Sequence, residues 1–257
     1  MFRRFAKLTL SLCVSLSDRL GMSRPGQGVV LYYHAVPAPA RKRFAEQMDI
    51  LAESAQPWSL DRSPPRADRW VGISFDDAYV SVLENAVPEL EKHRLPFTIF
   101  VPTGCLGRRP CWVRSPDHPF WNERVMSADQ LRILARLPGV TLGSHTVTHP
   151  RLTRLGPEDL KRELSDSKVA LEDLIQRPVE LLSFPHGDWN ETVLRTAEAI
   201  GYRRFFGIEP ACLNGGPLPP VVGRVAVEPT DSPLEFRMKV RGCYRWAVKR
   251  RHPTPCS

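Results

Sequence analysis

The chain has 257 residues, a net charge of +8, 42% hydrophobic residues and 25% charged residues. This composition is that of a globular protein with one large or two small domains. No zinc-finger spacing or RNA-binding signature indicates a nucleic-acid partner, and the six cysteines, none of them in a CxxC pair, do not form the pattern of a disulfide framework.

The two ends of the chain carry much of the basic charge. Residues 1–7 hold three basic side chains, and residues 237–251 hold seven without an acid. The uncharged residues 8–17 are too few for a membrane-spanning helix, which needs about 20 residues, and Asp18 and Arg19 follow where a signal peptide would need small residues. We predict an N-terminal amphipathic extension (1–27) and a basic tail (236–257). The extension packs on the body and the tail stays solvated, or else each contacts an anionic membrane surface. The location of the protein in the cell stays open.

Seven short runs of apolar, aromatic and β-branched residues predict strands. They cover Gly28–Tyr33, Trp70–Phe75, Phe97–Val101, Val140–Ser144, 180–184, 203–208 and 221–227. The Pro- and Arg-rich residues 56–69 and the Gly/Pro segment 214–220 predict loops. Cys105 and Cys111 follow the third strand and are close enough in sequence to bridge within one loop.

Helical periodicity fills most of the gaps between these strands. The predicted helices cover residues 44–54, 82–93, 127–137, 156–175 and 190–202. Ser127 with Gln130 three residues later predicts a capping box. Asn190 and Gly201 fit the start and the end of the last helix. Pro88 predicts a kink or a boundary inside the second helix.

Alternation of strands and helices predicts parallel βα units. About seven such units in some 200 residues fit a distorted (β/α)7 barrel of the TIM type, and we expect it to form one domain over residues 28–235. A doubly wound open sheet is the alternative. We find no internal repeat and no linker that would divide the chain.

Polar groups follow four of the predicted strands, at the ends where parallel βα folds collect their functional groups. The first strand is followed by His34, the second by Asp76 and Asp77, the fourth by His145 and His149, and the fifth by Pro185, His186 and Gly187. Because these strand ends meet at one face of a barrel, the sequence predicts a single functional site there.

The His and Asp residues of these strand ends have the chemistry of a catalytic metal site. Two imidazoles at i and i+4 can converge on one point, and two neutral histidines with one carboxylate suit zinc or a similar divalent metal. One of Asp76 and Asp77 could bind the metal while the other takes a proton from a metal-bound water. The alternatives are two ordinary histidines, and an N-cap followed by an acid in the first helical turn.

At these residues the chain resembles the polysaccharide deacetylases, also called the NodB-homology domain or carbohydrate esterase family four. The segments "SFDDAYVSVLENAVPELEKHRLPFTIFVPTG", "GSHTVTHPRLTRL" and "SFPHGDWN" are similar to that family's first three motifs, in the family's order. The resemblance covers residues 28–208. It implies a distorted barrel of about seven strands and the hydrolysis of an acetyl group on a sugar.

The resemblance also implies roles for single residues. Asp76 corresponds to the base that activates a metal-bound water, and Asp77, His145 and His149 to the metal ligands. The segment "LYYHAV" resembles a subgroup in which the general-acid histidine lies near the N-terminus, so His34 is the expected acid; the alternative is a core histidine at a strand end.

The chain departs from the family pattern at two positions. Ala78 stands where the family has glycine after the Asp pair, and His186 stands where it has an aromatic residue. Arg224 is a candidate for the arginine that orients the base. We expect Pro185, His186, Gly187, Trp189 and Tyr79 to bind substrate, with Trp189 and Tyr79 able to stack on a sugar ring or to serve in packing.

Together these observations predict a metal-dependent hydrolase that removes N-acetyl, or O-acetyl, groups from an amino-sugar polysaccharide or glycoconjugate. The expected cofactor is a divalent metal, with zinc first, and the expected partner is the acetylated glycan. Two alternatives stay open. One is a barrel that binds metal and glycan without turnover, and the other is a metal-dependent amidohydrolase acting on small C–N substrates.

Overall fold

The computed structural model describes Ser11, Val14, residues 27–214 and residues 216–244. Within these residues nine parallel strands form one sheet. The strands are β1 Gly28–Tyr33, β2 Gln56–Trp58, β3 Trp70–Phe75, β4 Phe97–Val101, β5 Val140–Ser144, β6 Leu181–Ser183, β7 Arg204–Phe206, β8 Val221–Val222 and β9 Val225–Ala226.

The sheet curls into a distorted barrel. Its strand order is β8-β7-β6-β5-β4-β3-β1-β9. Strand β2 pairs with residues 70–72 at the start of β3, and β4 pairs with Ser74 and Phe75 at its end. Strands β1, β3 and β4 are buried along their whole length, as expected for parallel strands covered on both faces.

One segment closes the barrel. Strands β8 and β9 are separated only by Gly223 and Arg224; β8 pairs with β7, and β9 pairs with β1. The switch of partner between β8 and β9 therefore joins the two ends of the strand order. The predicted strand 221–227 is thus two short strands with a break at Gly223 and Arg224.

Seven helices surround the sheet in the described part of the chain, and several begin and end where the sequence predicts. They are α1 Arg41–Ser54, α2 Val80–Asn85, α3 Val87–Lys92, α4 Ala128–Leu134, α5 Pro157–Ile175, α6 Glu191–Ile200 and α7 Pro233–Val240. Ser127 and Gln130 form the predicted capping box, Asn190 caps α6, and Gly201 ends it with φ of +104°. Pro88 lies in the first turn of α3, so the predicted helix is two helices.

The predicted barrel architecture in one domain is confirmed, with two differences in detail. Residues 56–58, predicted as loop, form β2, because their backbone extends the edge of β3 where β4 has not yet begun. Helix α7 crosses the predicted boundary at residue 235, and its Phe236 and Met238 are buried in the core. The packed body therefore continues into the segment assigned to the basic tail.

The two chain ends lie mostly beyond the described residues. Of the predicted N-terminal amphipathic helix, only Ser11 and Val14 are described, and the structure describes none of the tail after Tyr244. None of the helices in the described segments is long and apolar enough to cross a membrane.

Gly223, in the break between β8 and β9, is a position that we expect to require glycine. A Cβ at Gly223 would lie 2.3 Å from the Glu209 carbonyl oxygen and 2.7 Å from Ala211 Cβ. Because backbone must move to relieve that contact, we expect Gly223→Ala to lower the free energy of unfolding by about 1–3 kcal/mol. Urea unfolding measures the loss.

Gly216→Ala is the matched control for that substitution. A Cβ at Gly216 meets no atom within 4 Å, so its unfolding midpoint should stay at the wild-type value. Equal midpoints for wild type, Gly216→Ala and Gly223→Ala would contradict the close approach at the barrel closure.

Candidate active site

The polar groups predicted at the strand ends lie at one face of the barrel. His34 follows β1, Asp76 and Asp77 follow β3, His145 follows β5, and the turn Pro185–Gly187 follows β6. The Asp pair and the two motif histidines are almost fully buried, with at most 7% of each residue exposed. The predicted site is therefore a cluster of buried ionisable groups.

Asp76 is bound by Arg224, which enters the barrel from its closing segment. The Arg224 Nη1 and Nη2 atoms donate to Asp76 Oδ1 and Oδ2, both at 2.8 Å. Nη1 also donates to Ser74 Oγ, Nη2 to Ser183 Oγ and Nε to the Gly207 carbonyl. All five guanidinium N–H groups can thus have an acceptor, which a fully buried arginine needs.

Arg224 also sets the charge of Asp76. Burial by itself would raise the pKa of Asp76, but the Arg224 guanidinium and, more weakly, His145 outweigh it and hold the pKa well below its usual range. Asp76 is therefore a carboxylate at neutral pH, oriented through both of its oxygens.

Asp77 faces His145 and His149. Its Oδ1 lies 3.7 Å from His145 Nε2 and 3.5 Å from His149 Nε2, too far for good hydrogen bonds. Within the described part of the chain, Oδ1 is buried without a hydrogen-bond partner. One ligand atom from each of the three residues lies within 4.8 Å of the others. The three side chains therefore converge on a common point.

The protonation states of this cluster suit a cation. Burial, followed by the neighbouring Asp76, raises the pKa of Asp77 to about 8. Burial lowers the pKa of His145 to about 4, and burial together with His145 and His186 lowers that of His149 further. Both imidazoles are therefore neutral at pH 7, and Asp77 is a carboxyl that only a nearby positive charge would keep ionised.

A divalent metal fits these residues. Two ligands at about 2.1 Å from a tetrahedral zinc ion lie about 3.4 Å apart, close to the separations of Asp77 Oδ1 from the two imidazole nitrogens. His145 Nδ1 donates to the Ser183 carbonyl oxygen at 2.7 Å, which leaves the Nε2 lone pair directed toward Asp77. The unpartnered Oδ1 and the fixed tautomer are the two observations that carry this fit.

The turn that carries His149 is held by an acid that sequence reasoning missed. Glu163 Oε2 on α5 accepts hydrogen bonds from the backbone N–H groups of Val147 and Thr148 at 2.9 and 2.8 Å. Thr148 Oγ1 donates to Glu163 Oε1 at 2.6 Å. His145 and His149 therefore converge because Glu163 holds the non-helical turn between them; residues 145–149 do not form a helix.

His34 lies beside the Asp pair and packs against the aromatic ring of Phe120. Its ring stacks on Phe120 at 5.4 Å between centroids, and Phe120 also contacts Tyr79 at 5.1 Å. Burial lowers the pKa of His34, while the charge of Asp76 acts in the opposite direction. The predicted acid and the predicted base are therefore electrostatically coupled. Tyr79 is fully buried, so its ring is part of the packing.

The third motif forms a tight turn whose second residue, His186, contacts His149. The His186 ring packs edge to face on His149 at 4.5 Å and is exposed on its other side. Gly187 has φ of +63°, and a Cβ there would lie 2.3 Å from Ile208, so this position requires glycine. Trp189 is half-buried and stacks on Phe184 at 5.9 Å.

Two further site residues had no signal in the sequence. Trp112, from the long connection between β4 and α4, stacks on His149 at 4.2 Å, and Phe120 comes from the same connection. That segment has no periodic pattern that would place a side chain. Ser74 and Ser183 could have been found, because each is a polar residue at the end of a predicted apolar strand.

Comparisons with known proteins identify the family that this chain is similar to. The sequence profile of the family described as Polysaccharide deacetylase matches residues 63–205. The Bacillus subtilis (strain 168) protein named "Putative polysaccharide deacetylase YxkH" is 25% identical over 83% of this chain and 76% of its own length. The poly-beta-1,6-N-acetyl-D-glucosamine N-deacetylase of Staphylococcus aureus (strain MSSA476) is 24% identical over 55% of this chain and 48% of its own length.

A solved structure shares the fold. The Streptococcus pyogenes deacetylase PplD in complex with acetate superposes with a TM-score of 0.69 at 21% identity, over 84% of this chain and 99% of that one. The profile match covers more than half of the chain, and the barrel agrees with it. The chain therefore belongs to the polysaccharide deacetylase family, which are hydrolases acting on carbon–nitrogen bonds other than peptide bonds.

Proposed function

We propose that this protein removes the acetyl group from an N-acetylated amino sugar in a polysaccharide or glycoconjugate. The observation that carries the proposal is the placement of an ionised, arginine-bound Asp76 directly beside a convergent Asp77, His145 and His149 cluster. A base next to a three-ligand metal site with an open position is the arrangement that metal-assisted hydrolysis requires.

Asp77, His145 and His149 would hold the metal, and the donor set of two imidazoles and one carboxylate favours zinc. When bound, such a cation polarises the acetyl carbonyl and lowers the pKa of water. Asp77 would then stay ionised, because the cation offsets the burial and the charge of Asp76 that raise its pKa.

Asp76 is the proposed acceptor of the proton of the attacking water. Each carboxylate oxygen offers two acceptor sites, so the two bonds from Arg224 leave lone pairs free for the water. Because Arg224 holds both oxygens, the carboxylate does not have to reorient when the proton arrives. This preorganisation is the contribution we assign to Arg224.

His34 is the proposed donor of a proton to the leaving amine nitrogen. Its ring stacks on Phe120, and the negative charge of Asp76 offsets part of the lowering of its pKa by burial. We infer that the ring receives the proton that Asp76 took from the water and gives it to the amine nitrogen as the C–N bond breaks, so that the sugar leaves with a free amino group and acetate is released.

The proposed substrate is a glycan chain carrying N-acetylated amino sugars. The name of the Staphylococcus aureus relative supports this class, although its alignment spans about half of that protein's length. We assign the sugar contacts to His186 and Trp189, which retain exposed surface beside the metal ligands. Pro185 and Gly187 flank His186 in its turn, and the Tyr79 ring supports the site through its contact with Phe120.

Asp76→Asn and Asp77→Asn should separate proton transfer from metal binding. We expect Asp76→Asn to keep one equivalent of divalent metal and to lose about 100-fold or more in kcat for acetate release. Asp77→Asn should lose most of its metal, because it removes the anionic ligand. Metal content by mass spectrometry and acetate release from an N-acetylglucosamine oligomer measure the two effects.

His93→Ala is the control for those variants. His93 pairs with Asp49 at 2.8 Å on α1, away from the site, so its metal content and activity should match wild type. Full activity in folded Asp76→Asn, or wild-type protein that takes up no metal, would contradict the proposal. Glycan binding by metal-loaded wild type without acetate release would identify a binding barrel instead.

Arg224→Lys should weaken both the fold and the reaction. Lysine keeps the charge but cannot make the paired bonds to both Asp76 oxygens, so we expect the free energy of unfolding to fall by about 2–4 kcal/mol. We also expect kcat to fall about tenfold or more, with metal content unchanged, because the proposed base loses its orientation. Urea unfolding and acetate release measure the two effects.

Arg203→Lys is the matched control, since Arg203 pairs with Glu180 at 2.8 Å on an exposed surface. A pair of this kind contributes about 0–1 kcal/mol. If Arg224→Lys behaved like Arg203→Lys in both measurements, the buried pair would have neither the structural nor the orienting role.

A further inference from the structure

Cys105 and Cys111 meet beside the proposed metal site of Asp77, His145 and His149. Their Sγ atoms are 2.8 Å apart; Cys105 is buried, whereas Cys111 is exposed. Cys111 Sγ also lies 3.6 Å from the Thr148 carbonyl oxygen, to which its thiol can donate. A buried thiol in contact with an exposed one, six residues apart, has the proximity that a disulfide needs and a route by which a reagent can reach it.

The segment that holds these thiols is bonded to the segment that holds the metal ligands. Thr103 N donates to the Thr146 carbonyl at 3.0 Å, and Gly104 N donates to the Val147 carbonyl at 2.8 Å. Cys105 therefore follows directly on a backbone that is fixed against the His145–His149 turn. The position of Cys111 is not fixed by regular structure, because no helix or strand spans residues 106–127.

Trp112 connects this thiol pair to the proposed metal site. It directly follows Cys111 and stacks on the His149 ring at 4.2 Å between centroids, with 27° between the planes. His149 also contacts the His186 ring. A constraint on Cys111 therefore acts, one peptide bond away, on the indole that stacks on a proposed ligand.

We propose that Cys105 and Cys111 are a reversible modification site: they form a disulfide that clamps Trp112 on His149 and so tightens the metal site. The clamp rests on the proposed function, because it assigns His149 to the metal. The disulfide itself does not. In the dithiol form the same contact is made by the two thiols without a covalent bond, so Trp112 can leave His149 at lower cost.

The oxidant we propose is a small disulfide of the glutathione class. The Cys111 thiolate attacks one of its sulfurs, forming a mixed disulfide and releasing one small thiol. The Cys105 thiolate then attacks Cys111 Sγ, forming the Cys105–Cys111 bond and releasing the second small thiol. Two protein thiols lose two electrons, the small disulfide gains them, and the two thiol protons end on the released thiols.

The exchange should be slow at neutral pH. Burial, followed by the contact with Cys105, raises the pKa of Cys111 to about 12, so little thiolate is present. The experiment therefore uses full-length wild-type protein equilibrated overnight at about pH 8.5 in a series of reduced and oxidised glutathione ratios. Remaining thiols are then blocked with N-ethylmaleimide.

Peptide mapping identifies the bond without reference to metal. Trypsin cleaves after Arg108 but not after Arg109, which precedes proline, so a Cys105–Cys111 disulfide joins peptides 95–108 and 109–114. We expect this linked pair in oxidising buffers and its loss on addition of dithiothreitol. Closing the loop should also raise the Tm of the oxidised protein by about 5 °C.

Metal release to a chelator tests the clamp. From zinc-loaded protein we expect release about tenfold slower in the oxidised form than in the reduced form. The variants Cys105→Ser and Cys111→Ser should release metal at one rate in all buffers. Cys212→Ser, whose thiol contacts the Gly242 carbonyl in another part of the fold, should keep the wild-type redox dependence.

The outcomes are distinguishable. Absence of the linked peptides in every buffer would overturn the disulfide. Linked peptides with equal metal release in both forms would overturn the clamp. Wild-type protein that takes up no metal in either form would overturn the proposed function and the clamp together, while the mapping would still decide whether the disulfide forms.

Discussion

The buried pair of Arg224 and Asp76 is the interaction on which the barrel and its site both depend. Arg224 lies in the two-residue break where the sheet closes, and its side chain bonds to residues of β3 and β6 and to the carbonyl after β7. Ser74 passes the connection on to β1 through a bond to the Leu31 carbonyl. Rings of Tyr32 and Phe100 pack against the guanidinium. Arg224 therefore links the closure of the sheet to the ionised state of Asp76.

This pair explains why two adjacent carboxylates can be buried at one strand end. Asp76 is fully compensated by Arg224, so its charge is stabilised inside the protein. Asp77 has φ of +72°, and in the described part of the chain its carboxyl group faces two neutral imidazoles and forms no ion pair with a lysine or an arginine. The two acids therefore differ in their environment. Asp76 is paired with Arg224, whereas Asp77 lies with the two imidazoles in the candidate metal site.

The sequence allowed most of the fold to be predicted, because its strands are continuous apolar runs and its helices carry explicit caps. Four strands, from Gly28–Tyr33 to Val140–Ser144, have the predicted ends. Short strands such as Gln56–Trp58 were missed, since three residues give no periodicity and form only because β3 offers a free edge there. Trp112 and Glu163 were missed for a related reason: tertiary contacts alone bring them to the site.

Backbone conformation shows where this fold stores strain. Seven described non-glycine residues have positive φ, and five of them are Asp77, Ala78, Thr146, His149 and His186. Each such conformation costs on the order of 1 kcal/mol and persists only where surrounding contacts determine it. Here those contacts are the bonds to Glu163, the bond from Met126 N to the Ala78 carbonyl, and the packing of His149 against Trp112 and His186. Ala78 stands where the resemblance implies glycine, and its φ of +51° is a conformation that glycine adopts without strain. The alanine side chain therefore adds to the strain that the neighbouring contacts must offset.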